Sequence, residues 1–105
     1  MEFNRQGFDK NGLLTLFEDQ SDKTEVKFGT VAIPPGGRVP EEGLSLHEEN
    51  EYSFIIKGQL EGESGGKKYK VNESEATFIP AGEEHWAVNS SEKPCEIVWA
   101  LVKEK

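Results

Sequence analysis

The chain contains two histidines, His47 and His85, and each lies close to carboxylates. His47 precedes Glu51 by four residues. Successive side chains of a β-strand point to opposite faces, so an even spacing puts His47 and Glu51 on one side of an extended chain. Ser45 and Ser53 share that parity. If a second strand brings His85 across from them, two imidazoles and one carboxylate converge. Such a set binds divalent iron, manganese, nickel or zinc and leaves coordination positions open for substrate. The same residues serve equally in a metal-free pocket, where the imidazoles only form hydrogen bonds or act as bases.

Other reactive side chains are few. Arg38, one of two arginines, is the candidate clamp for an anionic group, provided that it folds over the mouth of the site. Trp86 is expected to pack in the core or to line a pocket entrance. Cys95 is the only cysteine, which excludes an internal disulfide and a thiolate zinc cluster within one chain. It follows a proline, is expected in a loop, and has no basic neighbour closer than Lys93, so a nucleophilic role is not expected. Glu41, Glu42, Glu48, Glu49 and Glu51, with Glu83 and Glu84, form a negative rim if the two regions meet, and otherwise a solvated surface.

The elements that position these residues read as all-β. No segment repeats apolar residues at helical spacing, whereas short β-rich runs separated by Gly, Pro, Asn and Ser recur. Strands are expected at 12–17, 25–33, 51–56, 59–63, 67–71, 76–79, 85–89 and 96–102, a number and spacing that suit a sandwich or barrel. Ser64-Gly65-Gly66 turns the fourth run back on the fifth as a hairpin. Pro34-Pro35-Gly36-Gly37 stops the second run, and a loop of about ten residues then leads to His47.

In the 51–56 run, Glu51, Ser53 and Ile55 face one way, as a partly hydrated cavity requires. Tyr52, Phe54 and Ile56 face the other way as an apolar strip that must meet a sheet or another subunit. The 96–102 run is apolar on both sides. Together these strands predict a homodimer, because one thin barrel cannot cover so much apolar surface.

Composition bounds the rest. A chain of 105 residues and 11.7 kDa is expected to form one domain, 1–105. Leu, Ile, Val and Phe supply 25 of the 105 residues, enough for a modest core. The net charge of −8 repels a phosphate backbone, so no nucleic-acid partner is expected. No apolar run approaches the ~20 residues of a membrane-spanning helix. The first residues lack a cationic start and an apolar stretch, which with the single cysteine predicts a cytoplasmic location.

Two strings carry a family resemblance. Ser45-Leu46-His47-Glu48-Glu49-Asn50-Glu51, followed by Gly58, resembles the first cupin motif, H-x-H-x3-E-x6-G, with serine for the first histidine. Pro80-Ala81-Gly82-Glu83-Glu84-His85-Trp86-Ala87-Val88-Asn89 is similar to the second, P-x-G-x2-H-x3-N, while Ser74 stands where a glycine usually opens that motif. The resemblance spans about 25–102. It implies a double-stranded β-helix, or jelly roll, with a metal held by His47, Glu51 and His85, and with water or substrate filling the position that Ser45 leaves. The pocket is then expected to be lined by Ser45, Ser53, Ile55, Trp86, Ala87 and Arg38 and to take a small organic ligand. A metal-dependent oxygenase or isomerase fits this pattern, as does a non-catalytic sensor barrel without metal.

Overall fold

The computed structural model describes residues 1–9 and 12–105, and they form nine strands. These are β1 (Leu13–Gln20), β2 (Thr24–Ile33), β3 (Arg38–Val39), β4 (Asn50–Lys57), β5 (Gln59–Ser64), β6 (Lys67–Asn72), β7 (Ala76–Ile79), β8 (His85–Val88) and β9 (Cys95–Glu104). All ladders are antiparallel, in a five-stranded sheet ordered β1-β2-β9-β4-β7 and a four-stranded sheet ordered β3-β8-β5-β6. This is the all-β jelly roll that the sequence predicts. Among the described residues no helix is long and apolar enough to cross a membrane.

The two sheets pack their inner faces together, and side-chain alternation sorts the interior into layers. At one end Ile33, Ile55, Cys95 and Ile97 of the larger sheet meet Leu60, Val71 and Ala87 of the smaller, closing the barrel with an apolar plug. Ser53, opposite Trp99, forms the next layer together with Tyr69, opposite Gly62. Glu51, opposite Leu101, and His85, opposite Ser64, stand at the open end. Each step of two residues along β4, from Ile55 through Ser53 to Glu51, thus moves from hydrocarbon towards polar surroundings. Trp99 fits because its β2 neighbour is Gly29, where a Cβ would lie 2.6 Å from the indole Cζ2.

Two expectations are corrected. The approach to His47 is not wholly irregular, because Arg38 and Val39 pair with Val88 and Ala87 as β3. Cys95 is no loop residue: it starts β9, pairs with Ile33 and is fully buried. As expected of a thin barrel, the outer sides of β4 and β9 are left uncovered in a single chain, with Tyr52, Phe54 and Ile56 exposed and Val98, Ala100 and Val102 half-buried. β8 ends at Val88, and Asn89 turns inward as a buried brace. Its Nδ2 donates to the Ile33 and Lys93 carbonyls at 2.9 and 2.8 Å, while its Oδ1 accepts from the Ser91 amide and hydroxyl.

The Asn72–Glu75 turn between β6 and β7 holds Ser74 at φ 68°, in the left-handed region. The Ser74 and Glu75 amides donate to the Ile55 and Asn72 carbonyls at 2.8 and 3.1 Å, so the turn cannot relax without breaking both bonds. A Cβ in this conformation costs roughly 1 to 2 kcal/mol. Ser74→Gly should therefore stabilise the fold by ~0.5 to 1 kcal/mol after the added unfolded-state entropy of glycine, raising Tm by about 3 to 6 °C in calorimetry. An unchanged or lower Tm contradicts the strain.

Burial, with the Glu96 charge second, pushes the Cys95 thiol up to about 11 from a reference of 9.0. An acid with a raised folded-state pKa contributes stability below its unfolded pKa and loses it as pH rises through the folded one. The stability advantage of wild type over Cys95→Ala should accordingly shrink between pH 9.0 and about 11 in urea titrations. An advantage constant across that window contradicts the buried thiol.

Candidate metal centre

His47 and Glu51 enter the barrel from the segment preceding β4 and from β4 itself, while His85 opens β8 of the facing sheet. Backbone hydrogen bonds clamp these pieces together. Ser45 and His85 exchange both main-chain bonds, at 2.8 and 3.1 Å, and the Gly82 amide donates to the His47 carbonyl at 2.9 Å. The Asn50 side chain accepts from the Ala81 amide at 2.9 Å. The loop carrying one histidine is therefore fastened to the segment carrying the other.

Each ring is also locked. His47 Nδ1 donates to the Glu49 carbonyl and His85 Nδ1 to the Glu83 carbonyl, both at 3.0 Å. A carbonyl can only accept, so each Nδ1 carries a proton, and a neutral ring then presents a bare lone pair at Nε2. Both Nε2 atoms face the same carboxylate: Glu51 Oε1 lies 3.4 Å from His47 Nε2 and 4.0 Å from His85 Nε2. The three ligand atoms fall within 4.8 Å of one another, and the rings meet edge to face with centroids 5.1 Å apart. Lone pairs aimed at a carboxylate repel it unless positive charge sits between them, either a shared proton or a cation. The donor set of two imidazoles and one carboxylate suits a divalent transition metal.

The surrounding cavity measures about 640 Å³. Ser45, Ser53, Ile55 and Ala87 are all in its lining. Arg38 and Trp86 are not, which corrects the expected pocket wall. His85 and Ala87 face inward, so alternation turns Trp86 outward, where the Arg38 guanidinium stacks over its ring at 4.8 Å and donates to the Pro40 carbonyl at 2.8 Å. Arg38 thus covers the outside of the smaller sheet rather than the mouth. The two acid-rich segments meet through the bonds of Ser45 to His85, His47 to Gly82 and Asn50 to Ala81, and two of their carboxylates are paired. Glu48 pairs with Lys103 at 2.8 Å, and that hydrogen bond holds its carboxyl below the usual range. Glu83 accepts from the Ser64 hydroxyl at 2.6 Å.

Two lining residues lie beyond the expected set. Tyr69 reaches the cavity from β6, and burial, reinforced by the Glu51 charge, pushes its phenol up to about 12, so it stays a donor. Trp99 Nε1 is buried with no hydrogen-bond partner among the described residues. The sequence signal for both is parity: Tyr69 lies two residues from buried Val71, and Trp99 two from buried Ile97.

A family model for the cupin domain matches residues 29–101, and the chain belongs to that family. Solved structures agree in fold. The cupin domain of Schizosaccharomyces pombe Cnp3 superposes with a TM-score of 0.72 at 13% identity over 89% of this chain, which spans 64% of that one. TT1209 from Thermus thermophilus gives 0.72 at 19% identity, with 96% of each chain covered. A predicted oxalate decarboxylase from Thermotoga maritima gives 0.65 at 22% identity, covering 76% of this chain and 80% of that one. An oxalate oxidase gives 0.62 at 26% identity, covering 72% of this chain and 41% of that one. No curated protein matches the sequence.

Proposed function

We propose that this cupin holds a divalent iron, manganese, nickel or zinc ion through His47, Glu51 and His85 and acts on a small organic molecule in its barrel, as a metal-dependent oxygenase or isomerase. The observation that carries this reading is the pair of fixed tautomers, which leaves two Nε2 lone pairs and a carboxylate oxygen within 4.8 Å of one another. The similarity to an oxalate oxidase supports the same kind of chemistry.

When bound, the metal supplies Lewis acidity and positions at which substrate or dioxygen can bind. The protein does the rest. The carbonyls of Glu49 and Glu83 keep the imidazoles oriented, and the Glu51 carboxylate offsets one unit of metal charge. Ser45, with its short hydroxyl, stands where the family places a further histidine, leaving room for a substrate group. Ile55, Ile97 and Leu101 in the wall exclude water and favour a substrate with an apolar body, beside the Tyr69 phenol, whose hydroxyl donates to the Trp86 carbonyl at 3.5 Å.

Metal content and a competition titration against a chromogenic chelator test the proposal. Wild type should take up one divalent ion per chain, and His85→Ala and Glu51→Gln should weaken retention by at least about tenfold while the β-sheet circular dichroism is unchanged. Ser45→His adds an imidazole on the same inner face, so affinity should rise by about tenfold or more, roughly 1.4 kcal/mol. A wild type that retains no metal, or variants that bind as it does, would replace this reading with a metal-free ligand-binding barrel.

A further inference from the structure

One layer of the barrel interior lies between the metal centre and the apolar plug. On the inner face of the five-stranded sheet, Thr77 of β7, Ser53 of β4 and Trp99 of β9 stand in one row, because Ser53 pairs with Thr77 on one side and with Trp99 on the other. All three line the cavity. Trp99 is only 8% exposed, and its indole Nε1 has no hydrogen-bond partner among the described residues. The half-buried Ser53 and Thr77 hydroxyls beside it are likewise engaged by no other group among those residues. A buried donor without an acceptor has lost the hydrogen bond that water gave it in the unfolded chain, so this row is completed by an acceptor from outside the protein.

We infer that Thr77, Ser53 and Trp99 form a second ligand subsite, and that it takes an uncharged carbonyl oxygen of the small molecule bound in the barrel. The indole N–H can only donate, which makes its partner an acceptor. The two hydroxyls can donate to the same oxygen. No charged side chain stands in the row, so a carboxylate or phosphate buried there would lack a counter-charge, whereas a carbonyl needs none.

The place of the row sets the shape of that molecule. Glu51 precedes Ser53 by two residues on β4, a rise of about 7 Å. Ile55 and its β9 neighbour Ile97, both in the plug, begin two residues further in. A ligand whose anionic end reaches an ion held by His47, Glu51 and His85 therefore carries its carbonyl about 7 Å away, with only a short alkyl group beyond it. This orientation rests on the metal site of the proposed function. The carbonyl subsite itself does not, since none of its three side chains is a metal ligand.

Two acids that differ by one oxygen test the subsite. Levulinate is a methyl ketone whose carbonyl lies two methylene groups from its carboxylate, and valerate has the same chain without that oxygen. Each is titrated into zinc-loaded protein and followed through the indole ¹H–¹⁵N resonances, with outward-facing Trp86 as the internal control. Levulinate should bind at least about fivefold more tightly than valerate and move the Trp99 resonance while leaving that of Trp86 in place. Trp99→Phe, which removes the N–H but keeps an aromatic ring, and separately the milder Ser53→Ala, should bring the ratio of the two affinities towards one with circular dichroism unchanged. In zinc-free protein both acids should bind more weakly, yet only levulinate should move Trp99. Zinc content measured on the same samples separates the two claims: a protein that holds no zinc but whose Trp99 responds to levulinate alone keeps the subsite and refutes the metal site. Equal affinities in wild type, no binding of either acid, or a ratio unchanged in both variants overturns the subsite. So does a Trp99 resonance indifferent to levulinate, the result that a water held on Nε1 would give.

Discussion

Two hydrogen bonds of 3.0 Å, from His47 Nδ1 to the Glu49 carbonyl and from His85 Nδ1 to the Glu83 carbonyl, determine what the barrel interior can do. Without them the imidazoles would be free to turn an N–H towards Glu51 and close the site as a neutral hydrogen-bonded cluster. With them, neutral rings point bare Nε2 lone pairs at a carboxylate 3.4 and 4.0 Å away. Such an arrangement is stable only around positive charge. The local backbone holds this geometry: Ser45 and His85 exchange both main-chain bonds and the Gly82 amide donates to the His47 carbonyl, which fastens the two segments at two points.

The remainder of the fold is organised around the contrast between the closed and open ends of the barrel. Ile55, Ile97, Leu60 and Val71 fill one end, away from the polar residues at the other. Core packing therefore holds the frame while the mouth keeps a crowded polar group that packing alone would not select. The same division explains the asymmetric exterior. Strand β4 presents Glu51 and Ser53 inward and Tyr52 and Phe54 outward, so one strand serves the site on one face and an apolar surface on the other.

Side-chain alternation makes much of this legible in the sequence. Even spacing puts Glu51 and Ser53 on one side of β4, and the Ser64-Gly65-Gly66 turn marks the β5 to β6 hairpin; Ser45 and His47 precede the strand, and their bonds to His85 and Gly82 bring them to the same side. The same rule, followed one residue further, turns Trp86 away from a pocket that His85 and Ala87 face, and so contradicts the expected lining. Arg38 departs from expectation for a different reason. Its partner is the ring of Trp86 on a neighbouring strand, and no local pattern announces a contact across 48 residues of chain. For Tyr69 parity with Val71 gives the inward face, while its height in the barrel is set by the pairing of Gly62 with both Tyr69 and Ala87. Sheet registers of this kind are set by the whole set of ladders.

The central claim is the tautomeric state of the two histidines, and long-range ¹H–¹⁵N correlation NMR of the metal-free protein in mildly alkaline buffer reads it directly. The account predicts that both rings carry their proton on Nδ1, and that one equivalent of Zn²⁺ shifts both Nε2 resonances while leaving the Nδ1 protons in place. Rings protonated at Nε2, or Nε2 resonances indifferent to zinc, would contradict it.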